Sequence, residues 1–316
     1  MAALVESLAY VSNEENGRFV PWHGLGTPVL EAMTSAEAIE KAGLNWEVES
    51  RPILDSVNGN IIPNYFANTR TTDGSVFGIV TDRYNIVQNT DAFSFTDSLI
   101  GEGVTYETAG SLKGGKQIFL LAKMPKVKLV DDDVEPFICF TNSHDGFGAI
   151  KVCATPIRVV CNNTLNLALK NAKRTWSTKH IGDIQGKLEE AKMTLNMANN
   201  YLKELDETAY KLADTKLEDE KLLKILNELI PVNEKDSDRI RANKEQAKEM
   251  YVQCLLAPDI AKFRGTAWGA INAMSDFTTH KAPKRNTDTY RESQFITTIN
   301  GQPLMDALLE KILIAA

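Results

Sequence analysis

The residues best suited to chemistry crowd into one stretch. Between positions 155 and 180 stand Arg158, Asn162, Asn163, Asn166, Lys170, Asn171, Lys173, Arg174, Trp176, Lys179 and His180. Guanidinium and ammonium groups hold phosphates, amides bond to sugars and base edges, and an indole gives a base a face to stack on. The pattern predicts a strand running into a helix over 164–172, N-capped by Asn162 or Asn163. A helix start there would present free backbone N–H groups to an anion. A second reading makes the asparagines plain caps and Trp176 a lid on the core, and residue types alone leave both standing.

Lysines flank this stretch in sequence. Lys151 precedes it, and Lys113-Gly114-Gly115-Lys116 offers a backbone approach to phosphate. A hairpin tip also uses glycine merely for positive φ. The expected nucleic-acid contacts are therefore Lys113, Lys116, Lys151, Arg158, Asn162, Asn163, Lys170, Lys173, Arg174, Trp176 and Lys179.

Other chemistries find little to work with. His23, His144, His180 and His280 stand far apart, and no Cys-x-x-Cys occurs among Cys139, Cys153, Cys161 and Cys254. Buried cysteines of this kind are packing residues, and Cys161 with His180 has no third group to orient it. Asp131-Asp132-Asp133-x-Glu135 has the look of a two-metal nuclease, but consecutive carboxylates diverge, and a solvated turn is expected. Gly-x-Ser-x-Gly, Ser-x-x-Lys and a Gly-Lys-Ser/Thr phosphate loop are all missing from the sequence. No catalytic set, metal or cofactor is expected.

The elements that must position these side chains follow from periodicity. Residues 1–45 read as an irregular arm rich in Gly and Pro around residues 21–28, then a short helix capped by Thr34 and ended by Gly43. Residues 46–182 alternate with a period of two, with turns at Asn58-Gly59, Thr72-Asp73-Gly74, 113–116 and 142–146. A short helix near 90–100 interrupts them. Residues 183–316 are helical, in runs over 183–213, 217–230, 237–256, 265–280 and 304–314. The expected fold is α+β: one mostly antiparallel sheet built from hairpins, followed by a helical C-terminal region that packs on it or mediates self-association.

Charge is segregated along the chain. Its 316 residues carry a net charge of −7, which excludes a uniformly basic coat. Yet residues 1–109 hold fifteen acids against five bases, and residues 110–182 hold eleven bases against five acids. A local basic face can still bind a polyanion, because counterion release is local; the plain alternative is solvated lysines on outward faces. No apolar run reaches the length of a membrane span, the start lacks the pattern of a signal peptide, and four cysteines fit a reducing cytoplasm.

Three motifs carry a kinship. Trp22-His23-Gly24-Leu25-Gly26, the run from Thr155 through Arg158 and Cys161-Asn162-Asn163-Thr164 to Leu165, and Trp268-Gly269-Ala270-Ile271-Asn272-Ala273 occur in that order. The chain resembles in these the phage- and plasmid-related family carrying the domain of unknown function numbered 932. The resemblance implies a mobile-element setting, beside single-strand DNA-binding and anti-restriction genes. The sheet-then-helices layout is also similar to that of phage strand-annealing proteins, an analogy of fold alone. The first expectation is non-specific binding of single-stranded DNA along residues 113–128 and 151–180, aiding annealing or protection in a bacterial cytoplasm. The alternative is an anti-defence or host-interaction protein whose acidic first 109 residues occupy a basic pocket of a host protein. Self-association into a homo-oligomer is a further expectation, and a membrane partner is not expected.

Overall fold

Thr34 opens the first helix for a reason visible in its neighbours. Its hydroxyl accepts from the Glu37 N–H while the Glu37 carboxylate accepts from the Thr34 N–H, a reciprocal capping box that satisfies two orphan donors. A computed structural model describes residues 8–10, 34–94, 96–97, 104–130, 132–158, 164–191, 193–281 and 290–315. The strands are β1 (Leu8–Tyr10), β2 (Val48–Leu54), β3 (Ile61–Arg70), β4 (Val76–Thr81), β5 (Thr105–Leu112), β6 (Gln117–Lys123), β7 (Val127–Leu129), β8 (Asp132–Ser143), β9 (Ile150–Arg158) and β10 (Thr175–Thr178). The α-helices are α1 (Ser35–Lys41), α2 (Asn89–Ser94), α3 (Ile184–Ala191), α4 (Thr194–Asp214), α5 (Asp219–Leu229), α6 (Asp238–Leu255), α7 (Ala267–Asp276), α8 (Tyr290–Asn300) and α9 (Pro303–Ala315). Strands come first and helices after: the fold is α+β, with antiparallel pairing and a helical C-terminal part.

The strands form two sheets where one is expected from the sequence. The larger runs β1-β5-β6-β8-β9-β10, with β7 paired to β8, and the smaller runs β2-β3-β4. The described residues divide into two compact units that interleave in sequence. The first draws on 1–125, 137–154 and 174–198, and the second on 126–136, 155–173 and 199–316.

In the first unit, β6 is buried along both faces from Ile118 to Ala122, as a strand with a neighbour on each side must be. Phe93 of α2 meets Phe140 edge to face at 5.4 Å, seating that short helix on the sheet. Asn89 ties α2 to the chain entering β2, donating to the carbonyls of Leu44 (2.8 Å) and Trp46 (3.3 Å). Each large apolar side chain buried this way contributes roughly 1.5–3 kcal/mol.

In the second unit, α7 is the inner helix. Every residue from Ala267 to Ser275 is buried, which is why its sequence shows no polar face. Gly269 is needed there because a methyl group would lie 2.9 Å from the Phe263 carbonyl carbon. Thr266 caps the helix, its hydroxyl accepting from the Gly269 N–H at 3.1 Å. Thr266→Ala is expected to cost about 1 kcal/mol of unfolding free energy, read as a lower urea midpoint at unchanged slope.

Four expectations need correction. The helix over 164–172 does not form: Thr164 bridges Ile157 and its carbonyl accepts from the Ser275 hydroxyl at 2.7 Å, and the chain continues as a strap. Tyr201 of α4 donates to the carbonyl of Leu167 (2.9 Å) or Leu165 (3.2 Å), and Asn166 donates to that of Thr298 (2.7 Å), all within the second unit. Tertiary partners have outbid the i→i−4 ladder. The acidic run is no solvated turn either, since Asp132 and Glu135 lie in β8 and pair with Lys262 (2.9 Å) and Lys126 (3.1 Å). The helical run over 183–213 is two helices, α3 and α4. The arm at 1–45 holds strand β1, whose Ala9 pairs with Ala109; its residues 21–28 lie outside the described residues.

Candidate nucleic-acid interface

Strand register gathers four turns at one end of the larger sheet. Leu112 pairs with Gln117, so residues 113–116 turn there. Gln117 pairs with Ser143, so the loop from His144 leaves β8 alongside. Thr178 pairs with Ile150, so Lys179 and His180 leave β10 at the same end. The fourth turn follows β4, where the Asn85 N–H donates to the His180 carbonyl at 2.8 Å. Lys113, Lys116, Arg83 and Lys179 are exposed on these turns. Between them the ring of Phe147 is 93% exposed.

The loop bearing Phe147 is built, not slack. One oxygen of the Asp145 carboxylate, Oδ1, accepts from the Ser143 hydroxyl (2.6 Å) and from the N–H groups of Phe147 (2.8 Å) and Gly148 (3.1 Å). Burial alone would raise the pKa of Asp145. The bonds from Ser143, Phe147 and Gly148, with the charge of Lys113, outweigh it and hold the carboxyl below its ordinary range. Beneath the hairpin tip, the Arg70 guanidinium lies 4.8 Å from the Trp46 ring centre and 5.3 Å from that of Phe77, and donates to the Gly114 carbonyl at 3.1 Å. That bond fixes the turn carrying Lys113 and Lys116. Lys113 itself takes a left-handed φ of 54°, a conformation glycine would adopt at less cost.

Two histidines stand under this surface, and their tautomers can be derived. Asn89 spends its amide hydrogens on the Leu44 and Trp46 carbonyls, so its Oδ1 accepts from His144 Nε2 at 3.0 Å. His144 Nδ1 is then a buried lone pair with no partner among the described residues. His180 Nδ1 faces the Asn85 carbonyl at 3.2 Å and must carry its proton, leaving Nε2 as the second such lone pair. Burial, then the neighbouring His180, pushes His144 down to about 3. Burial likewise takes His180 to about 4, against the opposing pull of Asn85 and Asp145. Tyr84 stacks on His180 with centroids 4.7 Å apart and donates to the Ser143 carbonyl at 2.7 Å. Both rings are neutral supports. They are too deeply buried to meet a ligand directly.

The residues expected from sequence to form one groove are divided. Lys113, Lys116, Lys151, Arg174, Trp176 and Lys179 belong to the first unit, whereas Arg158, Lys170 and Lys173 belong to the second. Lys151 and Trp176 are half-buried on the paired strands β9 and β10, and Arg174 donates to the Ala154 carbonyl at 3.2 Å. Lys170 and Lys173 are exposed on the strap. With no helix over 164–172, the helix-start anion site does not exist; Asn162 and Asn163 lie outside the described residues. Lys123 pairs with Glu107 (3.9 Å) and Lys126 with Glu135.

Sequence reasoning missed Phe147 and Arg83. Gly146-Phe147-Gly148 was the available signal for the first, because a large aromatic between two glycines in a turn has little core to enter. Among the described residues, no group of three or more His, Cys, Asp or Glu side chains could hold a metal ion, and no helix is long and apolar enough to cross a membrane.

The family model described as a domain of unknown function (DUF932) matches residues 76–297, well over half of the chain. No curated protein and no solved structure matches the chain. The chain belongs to the DUF932 family.

Proposed function

We propose that this DUF932 protein binds single-stranded nucleic acid across the turns at one end of its larger sheet, as part of the DNA metabolism of a phage or plasmid in the host cytoplasm. Phe147 stacks on a base, and Lys113, Lys116, Lys179 and Arg83 neutralise successive phosphates. The observation that carries this reading is the Phe147 ring, 93% exposed on a loop pinned by three hydrogen bonds and set among turns bearing lysine and arginine. An exposed aromatic on a rigid support pays little entropy on stacking, and every base has a face to offer it. The Asp145 carboxylate spends Oδ1 on its own loop while the charge of Lys113 acts on it, so the turns carry four bases around an acid that also holds the loop in shape. The bound strand would be shielded or presented for annealing; nothing in this reading requires turnover.

Fluorescence polarisation of a labelled oligothymidylate, titrated across salt, tests it. Affinity should fall with salt at a log–log slope of about −0.7 for each phosphate contact. Phe147→Ala should weaken binding about tenfold without altering that slope, because stacking is not ionic. Lys113→Gln with Lys116→Gln should flatten the slope by about 1.4, two contacts' worth. Binding that ignores salt, or that survives Phe147→Ala unchanged, would overturn the reading. So would purification with a stoichiometric host protein and no affinity for any nucleic acid.

A further inference from the structure

The second unit contains a pocket of about 440 Å³, within the range of small-molecule sites. Its walls are the buried side chains of Leu217, Leu222, Leu226, Tyr251, Ile260 and Ala270. The polar groups of these walls are spent on one another. Tyr251 donates its hydroxyl proton to the Ala270 carbonyl at 3.1 Å, and the Leu256 carbonyl accepts from Arg264 Nη2 at 2.6 Å. An occupant therefore finds nothing inside to bond with, and the part of it that enters must be hydrocarbon.

The pocket is also held open. The Leu217 N–H donates to the Gly265 carbonyl (2.9 Å) and the Ala267 N–H to that of Thr215 (2.9 Å), tying the α4–α5 connection to the start of α7. Lys216 bridges Thr266 between them. A side chain at Gly265 would meet no other atom within 4 Å, so the pocket is free of obstruction on that side. Leu223 and Leu256 border it and remain 48% and 63% exposed, apolar surface that an occupant would cover.

Two charged residues border the pocket, Asp219 and Arg264. Asp219 sits in the first turn of α5, where the helix dipole favours a negative charge. Arg264 has committed one donor to Leu256, and its other N–H groups have no partner among the described residues. A carboxylate can use them; an ammonium cannot. We infer that this pocket binds an aliphatic carboxylate, its chain among the leucines and its head on Arg264. This site is independent of the nucleic-acid surface, being built wholly from the second unit.

The test compares decanoate, decanol and decylamine, each titrated below its micellar range into the full-length protein and read by methyl chemical shifts. Decanoate should bind saturably with one site, moving Leu222, Leu226 and Ile260. Arg264→Gln, a change at an exposed residue, should weaken decanoate about tenfold and leave decanol within about twofold. Ala270→Leu, checked for fold by circular dichroism, should abolish binding of both by filling the pocket. The inference falls if decanoate produces no saturable shift, if decylamine binds more tightly than decanoate, or if Arg264→Gln weakens decanol equally. It falls too if only an acidic amphipathic helical peptide occupies the pocket.

Discussion

Lowering the pH from 7 to 4.5 should remove about 5 kcal/mol of unfolding free energy through His144 and His180 alone. Both rings are buried and neutral, held down to about 3 and about 4 from an ordinary 6.5. Their folded pKa values lie below the unfolded ones, so the unfolded chain binds more protons throughout the window between. The stability these rings contribute is complete above about 6.5 and is lost as pH falls toward 4. Each ring accounts for about 2–3 kcal/mol by pH 4.5, where the unfolded imidazole is almost wholly charged and the folded one is not. The carboxyl of Asp145, held low, acts in the same direction but below its unfolded pKa of 3.8, outside this window. Urea denaturation at a series of pH values measures the fall. At pH 5, unfolding should take up close to two protons through these rings, and His180→Gln should remove about one of them. A free energy that stays flat from pH 7 to 5 would show that the rings are hydrated and ordinary.

Neither histidine announces this role in the sequence, and the reason is physical. His144 and His180 are separated by 36 positions, two strands and a strap, and only the pairing of β9 with β10 returns the chain to the same sheet end. Register is a long-range property, whereas alternation is local. Hence β5 and β6 with their turn at 113–116, β2 to β4 with their turns, and the Thr34 capping box were all legible, because each is specified by residues a few positions apart. The strap over 164–173 was not. Its helical pattern is real, but Tyr201 and Thr298, which take up its polar groups, come from helices far along the chain. The candidate surface shows the same division. Lys113, Lys116 and Lys179 could be named from their types, yet their gathering beside Phe147 depends on β6 pairing with β8. The basic stretch at 155–180 contributes to both compact units, Arg158, Lys170 and Lys173 to the second and Arg174, Trp176 and Lys179 to the first, a division that no local pattern announces.

Gly78→Ala should cost about 2–3 kcal/mol and weaken nucleic-acid binding as much as deleting the Phe147 ring does. Gly78 lies in β4 facing the loop that carries Phe147. A methyl group there would overlap the Asp145 carbonyl oxygen and lie 2.7 Å from its carbonyl carbon, closer than real Cβ atoms come. Flexible side chains can step aside, but this neighbour is backbone. Asp145 is also fixed from its other end by the bonds its carboxylate accepts from Ser143, Phe147 and Gly148. The loop must therefore either lift from β4, exposing Val80 where it packs under Gly146, or break those bonds. Both routes displace Phe147 and leave every lysine and arginine in the chain, Lys113 losing at most the neighbouring Asp145 charge. The salt slope of binding should accordingly hold its wild-type value while affinity drops about tenfold, the same signature as Phe147→Ala. The double variant Gly78→Ala with Phe147→Ala should bind no worse than either alone, since both remove one stacking contact. Full additivity of the two losses would mean that the glycine acts on binding by a route other than Phe147, and no loss from Gly78→Ala alone would mean that it serves stability only.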